Sequence, residues 1–399
     1  MDLTFDAGLE TFRQDVRNFI RDHLPPEFAR RRHRKSFLQH EHDSLAWTRI
    51  LHKQGWSVPN WPVEYGGPGW SAAQQFVFEQ ECAEADAPAL LPSGLHMLGP
   101  VLQNFGTEQQ KATFLPPIAR GDYFWCQGYS EPDAGSDLAS LRTTAVRDGD
   151  HYLVNGQKIW TSGATHAAWG FFLVKTDTTC KPQKGISFLM IDMSSPGISV
   201  REIPQFNGEA HVCTVFLDNV RVPVANRVGD EGAGWGYGKF LLDHERTASS
   251  YIFWTKRELQ KLKRLAAREL CDGVPVIDTP VFAQRLARVE AQVIALEWSV
   301  LRVLADEKTP WHPTAISSCL KVRGSQLQQA VTELQVQALG AKAMRLIPLE
   351  DHESFAGDDV WHDDVVGKTA TALLIRAATI FGGSLQVQRD IIARLAFGI

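Results

Sequence analysis

The apolar residues of this chain change their spacing twice, and that change restricts the architecture more than any other feature. Up to about residue 120 they recur at helical intervals. Phe12, Val16, Phe19 and Ile20 share one face, and Leu45, Thr48, Ile50 and Leu51 share another. Two prolines in Trp56-Ser57-Val58-Pro59-Asn60-Trp61-Pro62 interrupt the pattern, Gly66-Gly67-Pro68-Gly69 closes the loop, and Ser71 is placed to cap a further helix. From about residue 122 to 230 the period becomes two. Asp148-Gly149-Asp150 reads as a turn. Tyr152–Val154 and Gln157–Trp160 read as strands joined by an Asn155-Gly156 hairpin, followed by Phe171–Val174, Ile186–Ile191 and Cys213–Leu217. No helical stretch separates these runs, so an antiparallel block is expected rather than a doubly wound sheet. After residue 232 the helical spacing returns in one long stripe: Phe282, Leu286, Val289, Val293, Leu296, Val300 and Leu304. It resumes at Leu373, Leu374, Ala377, Ile380 and Phe381, and again at Ile391, Ile392 and Leu395. The class is α+β, with expected units at 1–121, 122–231 and 232–399.

Composition excludes several function classes. A net charge of -5 carries no polyelectrolyte signature, so nucleic acid is not an expected partner. No window approaches the eighteen or so uninterrupted apolar residues of a membrane span, and the first thirty residues lack the apolar run of a signal peptide. The six cysteines are scattered and form no Cys-x-x-Cys pair, so neither a metal site nor a disulfide framework is expected, and a cytoplasmic location fits. The basic run Arg30–Lys35 reads as a solvated surface segment, with a patch that meets an acidic ligand or partner as the alternative. The glycine cluster Gly232–Gly238 lacks Gly-x-Gly-x-x-Gly spacing and a following parallel strand, so it reads as a junction entering a helix, not a dinucleotide loop.

The segment Gly128-Tyr129-Ser130-Glu131-Pro132-Asp133-Ala134-Gly135-Ser136-Asp137 stands where helical texture gives way to strand. Its small residues expose backbone, and its hydroxyls can hydrogen-bond a ring edge or a flexible polar arm; a polar loop capped by its aspartates is the plainer reading. Together with Asn155-Gly156-Gln157-Lys158-Ile159-Trp160-Thr161-Ser162 it resembles the central signature of the acyl-CoA dehydrogenase family, departing at Tyr129, where an aliphatic residue is usual. The resemblance spans essentially the whole chain, through Pro59-Asn60-Trp61-Pro62-x-x-Tyr65-Gly66-Gly67 and Gly383-Ser384-x-x-x-Gln388-Arg389-x-Ile391-Ile392-Ala393-Arg394. In layout it is most similar to the large subunits of pimeloyl-CoA-type and steroid side-chain dehydrogenases.

That resemblance implies a fold of N-terminal helical domain, middle antiparallel β domain and C-terminal four-helix bundle. It implies FAD-dependent α,β-dehydrogenation of an acyl-CoA thioester to the trans-2-enoyl-CoA. A carboxylate removes the α-proton from a dry pocket, hydride passes from Cβ to flavin N5, and electrons leave to an electron-transferring flavoprotein. By resemblance, Ser130 and the backbone around Cys126 meet the flavin ring, Trp160 packs beside it and Ser162 bonds near N5. Ser384 and Gln386 match a C-terminal turn that contacts FAD. Ser136, Asp243 and Arg246 match positions that meet the CoA or pantetheine arm. His96, Tyr251 and Trp254 are candidates either for the acyl pocket or for core packing.

Two departures from the family pattern matter. Many members carry the base just before the Gly-Thr of the C-terminal turn, where this chain has Gly382, and glycine abstracts no proton. Glu245, in Leu241-Leu242-Asp243-His244-Glu245-Arg246, matches the base that isovaleryl-CoA dehydrogenase and its relatives carry on another helix, so it is the expected base here; a surface glutamate paired with arginine is the alternative. Homotetrameric members also carry Arg-x-x-Phe-Gly, whose arginine reaches a neighbour's FAD; here Glu269 stands at that position, and a carboxylate repels a diphosphate. The later Gln-x-x-Gly-Gly element survives only as Gln337–Ala341. These departures lead to the expectation of a smaller homologous subunit in an α2β2 heterotetramer, or otherwise a homo-oligomer. The competing readings are a non-catalytic partner subunit, and an oxygen-using oxidase or monooxygenase on the same scaffold.

Overall fold

The computed structural model describes residues 6–28, 41–244, 250–305, 311–344 and 367–399, which leaves the basic run Arg30–Lys35 outside the described residues. Helices, then strands, then helices follow one another as the spacing predicts. Helix α1 (Ala7–His23) begins at Asp6, whose carboxylate accepts from Leu9 N at 2.8 Å, and buries Val16 and Ile20. Helix α2 (Glu41–Gln54) buries Trp47 and Leu51. Helix α3 (Ala72–Glu84) starts at Ser71, as expected, in a capping box with Gln74. Arg13 and Arg17 of α1 clasp Glu81 of α3 at 3.1 and 2.6 Å. A π-helical turn (Ser93–Leu98) leads directly into α4 (Gly99–Phe105), and α5 (Glu108–Arg120) follows.

The strands β1 (Trp125–Gly128), β2 (Thr144–Asp148), β3 (His151–Ser162), β4 (Trp169–Lys175), β5 (Ile186–Asp192), β6 (Ile198–Ile203), β7 (Val212–Pro223) and β8 (Arg227–Val228) form one sheet in the order β6-β7-β3-β2-β4-β5-β8, with β1 added on β4. Most pairings are antiparallel, in line with the alternating pattern. β1 instead runs parallel to β4, which is possible because a long connection separates the two in sequence. Asp148-Gly149-Asp150 makes the β2–β3 turn, as expected. The Asn155-Gly156 hairpin does not form. β3 runs straight through it as one strand, and the pair lies where its register with β7 shifts. The physical reason is a close approach: a Cβ on Gly156 would lie 2.4 Å from Thr143 Oγ1 and 2.7 Å from Thr143 Cα. The glycine is there to let a neighbouring backbone in, not to turn the chain.

The glycine cluster does enter a helix, α6 (Gly234–His244). Helix α7 (Ile252–Arg268) is followed by a small hairpin of β9 (Leu270–Cys271) and β10 (Val274–Pro275), then α8 (Pro280–Leu304). The α8 stripe from Phe282 to Val300 is buried as predicted, and Leu304 is partly buried. Helix α9 (Pro313–Leu339) packs on α7 and α8 and on the later α10 (Lys368–Ile375) and α11 (Leu385–Ile392). Surrounded in this way, α9 buries polar residues along a whole seam: Ser318, Lys321, Ser325, Gln328, Thr332 and Gln335. At the C-terminal end, Ile380 and Leu395 stay exposed, so the last part of the predicted stripe is surface rather than core.

Candidate functional site

The two signature stretches are tied together by one buried ion pair. Lys158, on β3 and fully buried, donates to Glu131 Oε1 at 2.7 Å, to Leu173 O at 2.7 Å and to Tyr129 O at 3.2 Å. Glu131 in turn accepts from the backbone N–H groups of Arg142 at 2.6 Å and Thr143 at 2.9 Å. Burial alone would raise the Glu131 carboxyl; the Lys158 ammonium and the surrounding donors outweigh it and hold the group below the usual carboxylate range. Glu131 and Ala134 exchange both backbone bonds across Pro132-Asp133, so the loop is a tight turn with proline at its second position. The pair was not singled out from sequence. Its signal was present, since opposite charges occupy fixed places in two stretches otherwise rich in small and apolar residues.

This knot sets the edge at which the expected flavin-contacting residues stand. Ser130 O accepts from Ile159 N at 2.9 Å, which brings Ser130 beside the last residues of β3. There the register with β7 shifts a second time, between Lys158 and Thr161, and Trp160 sits in the irregularity with φ 61°. A bulge of this kind re-aims a side chain. The Trp160 indole is 59% exposed, an unusual state for the largest apolar side chain, and its left-handed backbone is uncommon for a bulky residue. Thr161 next to it is fully buried with a hydroxyl that has no partner among the described residues, and Ser162 is exposed. An outward-facing aromatic ring, an orphaned buried hydroxyl and an accessible one fit the flat, polar-edged ring of a flavin. Cys126 sits on β1 next to this edge with its side chain in the core, where burial pushes the thiol up to about 12; only its backbone is available to a ligand.

The remaining sequence candidates are dispersed. Ser136 is exposed beyond the tight turn. Asp243 falls in the last turn of α6, but its side chain, together with Glu245 and Arg246, lies outside the described residues. Ser384 caps α11 by accepting from Val387 N at 3.3 Å, and Gln386 is exposed on the first turn of that helix. Just before them, Gly382 and Gly383 have φ of 63° and 87°. The turn therefore lacks a carboxylate and also adopts a backbone that side-chain-bearing residues rarely take.

Lys321, which the sequence did not flag, holds this turn. It is buried on α9 and donates to Ala378 O at 2.7 Å, with its ammonium 5.0 Å from the Phe381 ring and 5.4 Å from the Tyr251 ring. Its Cε would lie 3.7 Å from a Cβ at Gly382. Tyr251 opens α7 with φ 52°. One buried cation thus joins the start of α7 to the C-terminal turn.

Family models described as the N-terminal, middle and C-terminal domains of acyl-CoA dehydrogenase match residues 7–122, 126–220 and 232–397. The chain belongs to the acyl-CoA dehydrogenase family. As a member it is a flavoprotein oxidoreductase, and the likeness extends from end to end. It is 35% identical to acyl-CoA dehydrogenase IpdE1 of Mycobacterium tuberculosis, over 98% of each chain. Identity to acyl-CoA dehydrogenase FadE26 of the same organism is 34%, over 100% of this chain and 99% of that one. Among solved structures it is similar to the ChsE4-ChsE5 complex from Mycobacterium tuberculosis, with 34% identity, 100% and 99% coverage and a TM-score of 0.81. It is also similar to the Tcur3481-Tcur3483 steroid ACAD, with 30% identity, 100% and 99% coverage and a TM-score of 0.83. Its acyl-CoA dehydrogenase fold places Glu269, the residue at the expected arginine position, in a largely buried pair with Lys342 of the same chain at 2.7 and 3.0 Å. Among the described residues no helix is long and apolar enough to cross a membrane.

Proposed function

We propose that this chain removes two hydrogens across Cα–Cβ of an acyl-CoA thioester, with FAD as the flavin and Glu245 as the base. The observation that carries the reading is the edge built by Ser130 and Trp160: a strained, outward-facing tryptophan beside small residues, fixed by the buried Glu131–Lys158 pair. Ser130, the backbone at Cys126, Trp160 and Ser162 are assigned to the flavin ring, Ser384 and Gln386 to the far end of FAD, and Ser136, Asp243 and Arg246 to the CoA arm. Bound FAD supplies the acceptor for the hydrogen that leaves Cβ as hydride. Glu245 takes the α-proton, a task that a carboxylate performs best when desolvation has raised its pKa towards the working pH.

The glycine turn at 382–383 supports the assignment to Glu245, because no carboxylate stands on it. The similar structures, a ChsE4-ChsE5 complex and a steroid ACAD, support a bulky acyl group of steroid or fatty-acid catabolism and a heteromeric assembly. The Glu269–Lys342 pair supports the same assembly, because this chain offers a neutralised carboxylate where homotetrameric members offer an arginine. We assign the smaller homologous subunit of an α2β2 heterotetramer as partner, an electron-transferring flavoprotein as acceptor, a cytoplasmic location, and domains at 1–121, 122–231 and 232–399. The decisive measurement is dye reduction by the purified, flavin-loaded assembly over a panel of acyl-CoA thioesters. Glu245→Gln is expected to lower kcat by about 10³-fold or more while leaving the flavin bound. Near-normal turnover in that variant would remove Glu245 from the mechanism.

A further inference from the structure

We propose that Lys321 is a positioning residue for the flavin: its ammonium fixes the C-terminal turn that presents Ser384 and Gln386, and so sets how tightly the protein holds FAD. This rests on the assignment of that turn to FAD made above and goes beyond it by naming what gives the turn its shape.

The turn follows the end of α10, where a helix leaves its last carbonyls without helical donors. Side chains of α9 supply them. Gln329 Nε2 donates to Ile375 O at 3.2 Å and to Arg376 O at 3.1 Å, and Lys321 Nζ donates to Ala378 O at 2.7 Å. The Lys321 bond is the shortest of these three and has the charged donor, which makes it the strongest. Three residues on, the Phe381 ring lies 5.0 Å from the same ammonium, and the Phe381 N–H donates to Ala377 O at 3.0 Å.

Gly382 and Gly383 then run through left-handed backbone, with no side chain to hold them there. Glycine loses more conformational freedom on ordering than any other residue, so the course of the pair is set from its two ends. After it, Ser384 caps α11, and the Gln388 amide closes on Gly383, where a Cβ would lie 2.3 Å from Nε2. Before it stands Lys321, whose Cε and Nζ would be 3.7 and 3.9 Å from a Cβ on Gly382. Lys321 is 3% exposed, and its contact with the Tyr251 ring ties it to the start of α7. The anchor thus belongs to the packed helices, while the glycine pair it steers is exposed. Without the ammonium, Ala378 O and Phe381 lose their tie, and FAD must order the glycine pair as it binds, at a cost in affinity.

The test strips flavin from the purified assembly and titrates FAD back, following its absorbance. Lys321→Met keeps the length and removes the charge, and Lys321→Arg keeps a cationic donor. Phe381→Leu, at a residue 37% exposed, loosens the same anchor with little demand on the fold. The FAD dissociation constant is expected to rise about tenfold or more in Lys321→Met, to return most of the way in Lys321→Arg, and to rise about threefold in Phe381→Leu. Combined with Ser384→Ala, either loss should be less than additive, because both changes act on one turn; a structural role elsewhere in the bundle would leave them additive. Should Lys321→Met fail to assemble, Phe381→Leu and its combination with Ser384→Ala carry the same test. An unchanged dissociation constant in Lys321→Met or Phe381→Leu, no recovery in Lys321→Arg, or additive losses would each overturn the role of Lys321. If the stripped wild-type assembly takes up no FAD, the assignment of FAD itself fails, and that is seen before any variant is made.

Discussion

Glu131 and Lys158 have no chemical role in the proposed reaction, yet every residue assigned to the flavin ring depends on where they hold the chain. A buried pair of this kind is costly to break from one side, because the remaining charge keeps its desolvation penalty without its partner. Lys158→Met should therefore destabilise the protein by roughly 3–5 kcal/mol in denaturant titrations, with flavin loss accompanying the change. The pH dependence follows from the direction of the Glu131 shift. Its folded pKa lies below the unfolded value of about 4.3, so the pair contributes stability above that pH and loses it as pH falls through the folded value. Burial pushes the Lys158 ammonium down to about 8, so the gap between wild type and Lys158→Met should be full from about pH 5 to below that value and shrink in more acidic buffer. A gap that stays constant down to acid would mean that Glu131 is not the partner that matters.

At the scale of the element, β3 carries two irregularities with different causes. The first, at Gly156, makes room for Thr143; the second, at Trp160, turns an indole outward. Gly156→Ala should cost about 1–3 kcal/mol by overpacking against Thr143, measured as a shift in unfolding midpoint. Wild-type stability in that variant would show that the β2–β3 contact can yield. The Asn155-Gly156 pair misleads as a hairpin signal because the same dipeptide suits a tight turn and a close backbone approach, and nothing local tells the two apart. The seam of α9 is a second instance. Ser318, Ser325, Gln328 and Thr332 are polar side chains of the kind that ordinarily face water. They are buried because neighbouring helices cover α9, a circumstance set by residues far away in the chain.

The whole molecule is fastened at Glu258, a buried carboxylate on α7 that meets Lys261, Arg257 and Lys368 at 3.1, 3.3 and 3.1 Å and accepts from Gln335. Burial would raise its pKa, but the three cations hold it well below the usual range. Lys261 reaches on to Asp86 at 3.1 Å, just past α3, so the network links the N-terminal helices to three helices of the C-terminal part. Assembly is a question at this same scale. Produced with a smaller homologous subunit, the chain is expected to co-purify with it and carry its full flavin; produced alone, it should carry less than one flavin per chain, measured from absorbance after denaturation. A fully flavinylated, active homotetramer of this chain by itself would overturn the heteromeric reading.

The succession of helices, strands and helices was legible because hydrophobic period is a local property, written every two or every 3.6 residues along the chain. The family was legible from loops whose small residues and turn formers are specified position by position. Sequence also located the missing carboxylate at Gly382, since a residue type needs no coordinates. It could not say that Lys158 is a buried strut rather than a surface charge, that Trp160 faces outward from a bulge, that Lys321 sits against the C-terminal turn, or that Glu269 is neutralised by Lys342. Each of those facts depends on which residues, tens or hundreds of positions apart, meet once the chain is folded. A side chain's electrostatics and exposure are set by such neighbours, whereas its contribution to period and turn is set by itself.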